Sequence, residues 1–133
     1  MRFVDTSFWV ALAYRRDAHH SEASSLWTER SGGLITTNHV VGETWTFLRR
    51  RTGHVAAVRF IDRAEASRRL GIIHVDASIE TEAMAWLRRH DERSYSFVDA
   101  TSFAVMRQNR LREALAFDGD FSAAGFLELR LSA

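Results

Sequence analysis

The amino-acid sequence predicts an α/β fold with a mostly parallel sheet. Short apolar runs recur along the chain as candidate strands: Arg2-Phe3-Val4, Leu34-Ile35-Thr36-Thr37, Ile72-Ile73-His74-Val75 and Ala114-Leu115-Ala116-Phe117, with Leu127-Glu128-Leu129 weaker. Segments with helical periodicity lie between them, and such alternation argues for parallel strands joined by helices. The 133 residues contain no proline and seven scattered glycines, so no linker, repeat or low-complexity tract divides the chain. One domain over residues 1–133 is expected, large enough to bury roughly two-thirds of its unfolded surface.

In order, the first strand runs into Asp5-Thr6-Ser7, a cap for a helix carrying Phe8, Trp9, Leu12 and Ala13. Residues from about Ser21 to Arg30 form a second helix, stopped by Ser31-Gly32-Gly33. After the second strand, Asn38 is expected to cap a helix with Val41, Trp45 and Leu48 on one stripe, ending at Arg49-Arg50-Arg51. Val55, Val58 and Ile61 mark a further helix, broken at Gly71 before the third strand. Ile79, Ala83, Trp86 and Leu87 define the next, and Val98, Ser102, Val105 and Met106 the one before the fourth strand. In α/β sheets of this kind ligands gather at the carboxyl ends of the strands.

Composition removes several classes of function. Cysteine is absent, which excludes disulfides and thiolate metal sites and fits a reducing compartment. No apolar run approaches the ~20 residues of a membrane helix, and the opening Met1-Arg2-Phe3-Val4-Asp5 has no signal-peptide pattern, so a cytoplasmic location is expected. The net charge is +1, and all eighteen basic residues are arginine. Without lysine there is no P-loop, and receiver domains and haloacid-dehalogenase-like phosphatases, which also place an early Asp after a strand, lose a residue they need. No His-Glu-x-x-His, Ser-His-Asp or Gly-rich phosphate loop is present. The adjacent His19-His20 would point roughly 100° apart on a helix and make poor joint ligands, so all six histidines are read as surface or packing residues.

Four acidic phrases carry the chemistry: Phe3-Val4-Asp5-Thr6-Ser7, Val40-Val41-Gly42-Glu43-Thr44, Ser96-Phe97-Val98-Asp99-Ala100 and Ala116-Phe117-Asp118-Gly119-Asp120-Phe121. Each sets an ionised group beside an apolar run, where an unpaired carboxylate is costly unless protonated or bound to a cation. Asp5 and Asp118 follow strands, Glu43 lies early on a helix and Asp99 near the start of another, so all four could face one cleft. Convergent carboxylates suit Mg²⁺ or Mn²⁺, which could polarise a phosphodiester and orient water. Taken singly, Asp5 and Asp118 also read as caps, Glu43 as a solvated helix residue and Asp99 as a partner of the helix dipole. Asp76 follows a strand too, and with Ser78 and Glu82 nearby reads as a cap.

The four phrases, in this order, resemble the PIN-domain ribonucleases, especially VapC-type toxins of bacterial toxin–antitoxin pairs. The resemblance rests on Val4-Asp5-Thr6-Ser7, Glu43, Phe97-Val98-Asp99-Ala100 and Phe117-Asp118-Gly119-Asp120-Phe121, and spans nearly the whole chain. It implies a five-stranded sheet in the order 3-2-1-4-5 flanked by helices, with Asp5 and Asp118 on neighbouring strands and Asp76 at the far edge. It further implies a Mg²⁺- or Mn²⁺-dependent endoribonuclease whose metal is bound by Asp5, Glu43, Asp99 and Asp118. Asp120 is given a lesser role, binding through water or capping a turn; Gly119 is expected at positive φ. Thr6 and Ser7 cap the helix, hold Asp5, or both.

Arg49-Arg50-Arg51, with Arg15-Arg16 and Arg88-Arg89, could cradle an RNA backbone or be solvated helix ends. A cognate antitoxin and a second copy of the chain are the partners the resemblance implies. A non-catalytic binding module and a metal-dependent DNA nuclease are the competing readings; the short chain argues against the nuclease.

Overall fold

A computed structural model describes residues 1–29 and 32–131. Five strands, β1 (Arg2–Val4), β2 (Leu34–Thr37), β3 (Leu70–Ile73), β4 (Glu113–Leu115) and β5 (Leu127–Glu128), form one sheet in the order β3-β2-β1-β4-β5. All four pairings are parallel, so the expected order holds and the sheet is parallel throughout. The helices are α1 (Thr6–Ala13), α2 (His20–Glu29), α3 (Asn38–Arg51), α4 (His54–Ala66), α5 (Ala77–Arg89), α6 (Phe97–Gln108) and α7 (Asp120–Ala123). Among the described residues no helix is long and apolar enough to cross a membrane.

Central strand β1 is short because its job is positional. Phe3 and Val4 are fully buried, and Thr36 Oγ1 donates to Val4 O at 2.7 Å, fixing the strand's end from the neighbouring β2. Phe3, Phe8, Trp9, Phe103 and Phe121 anchor the core, with Phe103 edge-on to Phe121 at 4.9 Å between centroids. Helix α6 is buried along its whole run from Asp99 to Met106, packing against α5 and α3. Such all-round burial holds Asp99 on a rigid element.

Several boundaries differ from the sequence reading, each for a local reason. Thr37, not Asn38, caps α3: its side chain accepts from Val40 N–H at 3.1 Å. Asn38 enters the helix, and its Oδ1 accepts from Val75 N–H at 2.8 Å instead. Strand β3 runs from Leu70 to Ile73, and Val75, bonded to Asn38, lies beyond its end. Gly71 lies within the strand, and α4 has already ended at Ala66. The inner face of α3 is Val40, Thr44 and Leu48, with Val41 and Trp45 half-buried beside it. Thr44 can face inward because its hydroxyl donates to Val40 O at 2.7 Å. The expected end of α2 at Arg30 and Ser31 lies outside the described residues.

Asp76 behaves as its spacing predicts. It caps α5, accepting from Ile79 N–H (3.0 Å) and Ser78 Oγ–H (2.9 Å) beyond the edge strand β3. Glu82 takes no part in that cap; it joins α5 to α6 through Arg107 (3.1 Å) and Gln108 (3.0 Å).

Candidate active site

Asp5 leaves β1 directly and turns the chain into α1. Its Oδ2 accepts from Ser7 N–H (3.1 Å) and Ser7 Oγ–H (2.7 Å), so Asp5 itself caps the helix. Ser7 Oγ in turn accepts from Phe117 N–H at 3.0 Å, tying the end of β1 to the segment that follows β4. Asp5 N–H donates to Leu115 O at 3.0 Å, extending the same join. Thr6 neither caps nor holds Asp5; its buried Oγ1 has no hydrogen-bond partner among the described residues.

Asp99 sits in the first turn of α6 inside a capping box. Ser96 Oγ accepts from Asp99 N–H at 2.9 Å while Asp99 Oδ2 accepts from Ser96 N–H at 3.0 Å. One carboxylate oxygen is thereby occupied in fixing the other's direction. Asp118 and Asp120 flank Gly119, whose φ of +83° is the left-handed turn expected of it. At this turn Asp118, not Asp120, accepts a backbone N–H, from Asp120 at 3.1 Å.

Asp5, Glu43, Asp99, Asp118 and Asp120 all line one cavity of about 480 Å³, at the carboxyl edge where β1 meets β4. One oxygen each from Asp99, Asp118 and Asp120 lie within 4.8 Å of one another. Asp5 stands deeper, only 2% exposed, close enough to feel the charge of Asp118 and Asp99. Glu43 is exposed on α3 and makes no hydrogen bond or ion pair among the described residues. Asp120 is thus drawn further into the cluster than its sequence position suggests.

Electrostatics follow from this crowding. Burial first and the Asp118 charge second push the Asp5 carboxyl up to about 8, against the lowering bonds from Ser7. Asp99 is raised to about 6, again chiefly by burial, with Asp120 and Asp118 adding to it. Asp118 is shifted upward as well, by burial first and then by its acidic neighbours. A divalent cation fits this set: the donors are all hard oxygens, the carboxylates repel, and the buried Thr6 Oγ1 lacks a partner.

Three contributors escape sequence reasoning. Arg93 donates through Nε to Asp120 Oδ1 at 2.6 Å and through a terminal N–H to Asp118 O at 3.0 Å, neutralising part of the cluster. Glu128, 7% exposed, accepts from Gly119 N–H (3.2 Å), Ser122 N–H (3.1 Å) and Arg130 (3.1 Å), and so holds the Asp118–Asp120 turn from behind. His19, on the cavity wall, stacks on Phe117. Arg93 and His19 act on residues distant in the chain, and Glu128 on a turn that precedes its own strand, so no local pattern marks any of them.

Arg50 and Arg51 line a second, larger cavity of about 790 Å³ that shares Glu43 and Phe47 with the acidic one. The Arg51 guanidinium lies 5.3 Å from the Phe47 ring centroid. Arg49 is exposed and lies outside this lining.

The PIN domain family model matches residues 2–127. The chain is 57% identical over 134 residues to the 23S rRNA-specific endonuclease VapC20 of Mycobacterium tuberculosis (strain ATCC 25618 / H37Rv), with 98% of each chain covered. It is 27% identical over 124 residues to a VapC ribonuclease of Archaeoglobus fulgidus, covering 90% of this chain and 78% of that one. The crystal structure of Mycobacterium tuberculosis VapC20, a sarcin–ricin loop cleaving toxin, superposes with a TM-score of 0.94 at 55% identity, covering 98% of this chain and 100% of that one.

Proposed function

The chain belongs to the PIN-domain family, and from that premise we propose that it is a metal-dependent endoribonuclease, the toxin of a toxin–antitoxin pair. The observation that carries the reading is the gathering of Asp5, Asp99, Asp118 and Asp120, with Glu43 at the rim, in one cavity at the sheet's switch point. Identity of 57% with a 23S rRNA-specific endonuclease supports large-subunit ribosomal RNA as the substrate.

In this reading Asp5, Asp99 and Asp118 hold Mg²⁺ or Mn²⁺ directly or through water, Glu43 and Asp120 completing the set. A cation held there would supply positive charge to the scissile phosphate and to the oxygen that leaves. Ser7 orients Asp5, and the capping box orients Asp99, so two ligands are preset before the ion arrives. Glu43, free of partners, can accept a hydrogen bond from the attacking water. Arg50 and Arg51 offer cationic contacts to an RNA backbone beside an otherwise acidic mouth. A cognate antitoxin, a second copy of the chain and a cytoplasmic location complete the proposal, as the kinship with VapC-type toxins implies.

The test is incubation of purified protein with bacterial ribosomes and with total RNA, in Mg²⁺ or Mn²⁺ and in EDTA, beside Asp99→Asn. Discrete 23S fragments that need the metal and disappear with Asp99→Asn are expected. Asn keeps an acceptor for Ser96 N–H, so the variant should fold as the parent does. Absence of metal-dependent fragments from the wild type, or cleavage undiminished in Asp99→Asn, overturns the reading.

A further inference from the structure

Three aromatic rings form a stack that leads from the core to the wall of the acidic cavity. Phe8, fully buried, stacks on Phe117 with centroids 5.8 Å apart and planes 16° from parallel. Phe117, half-buried, stacks in turn on His19 at 4.4 Å and 2°. His19 is the exposed end of the series and lines the cavity that holds the acids.

The stack on Phe117 places the ring, and the backbone of His19 is tied on both sides. Its backbone N–H donates to Asp17 Oδ1 at 2.8 Å, and its carbonyl accepts the first helical bond of α2, from Ala23 at 2.9 Å. Phe117 precedes Asp118 directly, and its N–H is bound by the Ser7 hydroxyl that also holds Asp5. The stack and the acidic cluster are therefore joined through Phe117 and Ser7. Neither ring nitrogen of His19 makes a hydrogen bond among the described residues. A planar, exposed aromatic face at a fixed place beside a phosphate-cleaving site is what an unpaired nucleobase stacks upon.

We propose that His19 is a base-stacking platform: it receives the unpaired base of a nucleotide flanking the scissile phosphate and sets that phosphate's position over the acids. The proposal rests on the endoribonuclease reading and adds to it a subsite for a splayed, single-stranded nucleotide. It makes His19 a positioning residue acting through its face.

The test compares wild type, His19→Ala and His19→Phe on the RNA cut by the wild-type protein, and on the same RNA with the flanking nucleotide made abasic. His19→Ala should lose roughly five- to a hundredfold in kcat/KM, the range of one aromatic–base stack. His19→Phe, which keeps a ring, should stay within about threefold of wild type on the same scale. The abasic RNA should slow the wild type by a similar factor yet slow His19→Ala no further, a result that mere loss of packing on Phe117 does not produce.

Wild-type kcat/KM in His19→Ala, equal loss in His19→Phe, or additive losses with the abasic RNA each overturn the platform. Metal-dependent cutting by wild type remains to vouch for the nuclease in those cases. A second arm needs no cleavage: 2-aminopurine at the flanking position, bound to Asp99→Asn protein, should be quenched when His19 is present and bright when it is Ala. Equal brightness in the two proteins also overturns the proposal.

Discussion

Asp5→Asn is expected to reduce RNA cleavage by at least about a hundredfold, the scale of losing one preorganised electrostatic contact, while leaving a folded protein. Asn retains an oxygen for the two Ser7 donors, so the α1 cap survives. The same change should also alter how stability depends on pH. Folded Asp5 titrates at about 8, against about 3.9 in an unfolded chain, so between those values the folded state holds a proton that the unfolded state has released. Stability then falls as pH rises: the contribution is complete below about pH 4 and gone above about pH 8. Asp99, at about 6, adds to the fall at the acidic end of that window.

In EDTA the wild-type melting temperature should thus decline from pH 5 to pH 8, and Asp5→Asn should flatten the decline. Mn²⁺ should restore the wild type most at pH 8, because a cation binds the deprotonated carboxylates. Melting curves across this range in both proteins check the argument. Parallel declines in the two would show that Asp5 is not the buried acid responsible.

Glu128→Ala is expected to destabilise the protein by about 2–4 kcal/mol, since it strips buried acceptors from two backbone N–H groups. Arg130 contributes little to that figure; its side chain is 40% exposed and can return to water. The melting temperature should drop by roughly 5–15 °C for a domain of this size. Cleavage should fall even where the variant is fully folded, because the Asp118–Gly119–Asp120 turn loses its backing. Thermal melts together with cleavage rates at 25 °C read the two effects separately. An unchanged rate in folded Glu128→Ala would show that the turn holds its shape without this carboxylate.

How much of this was legible in the sequence depends on the range of the interaction involved. Asp5 and Asp118 announced themselves because an acid after an apolar strand is a local pattern. Asp76 shares that pattern, and sheet order, not spacing, separates it: β3 is an edge strand, far from the β1–β4 switch point. Thr37 and Asn38 are both good caps by type; in the fold Thr37 caps, and the Asn38 side chain is taken up by a distant partner, Val75, that local sequence does not reveal. Glu128 sits between two leucines and looks like the polar position of an alternating strand, yet it is buried by bonds to a turn that precedes it. By spacing, His19 makes a poor joint ligand with His20 and reads as a surface or packing residue. Its relevant partner is Phe117, brought to it only by the fold.

The convergence of the acids on a divalent cation is tested most directly by anomalous diffraction from crystals equilibrated with Mn²⁺ near pH 8, where about half of the Asp5 carboxyls have released their proton even without a cation. A manganese peak bounded by Asp5, Asp99 and Asp118, and lost in Asp99→Asn crystals, is the result this account predicts. Manganese absent from the cavity while bound elsewhere on the protein would contradict it.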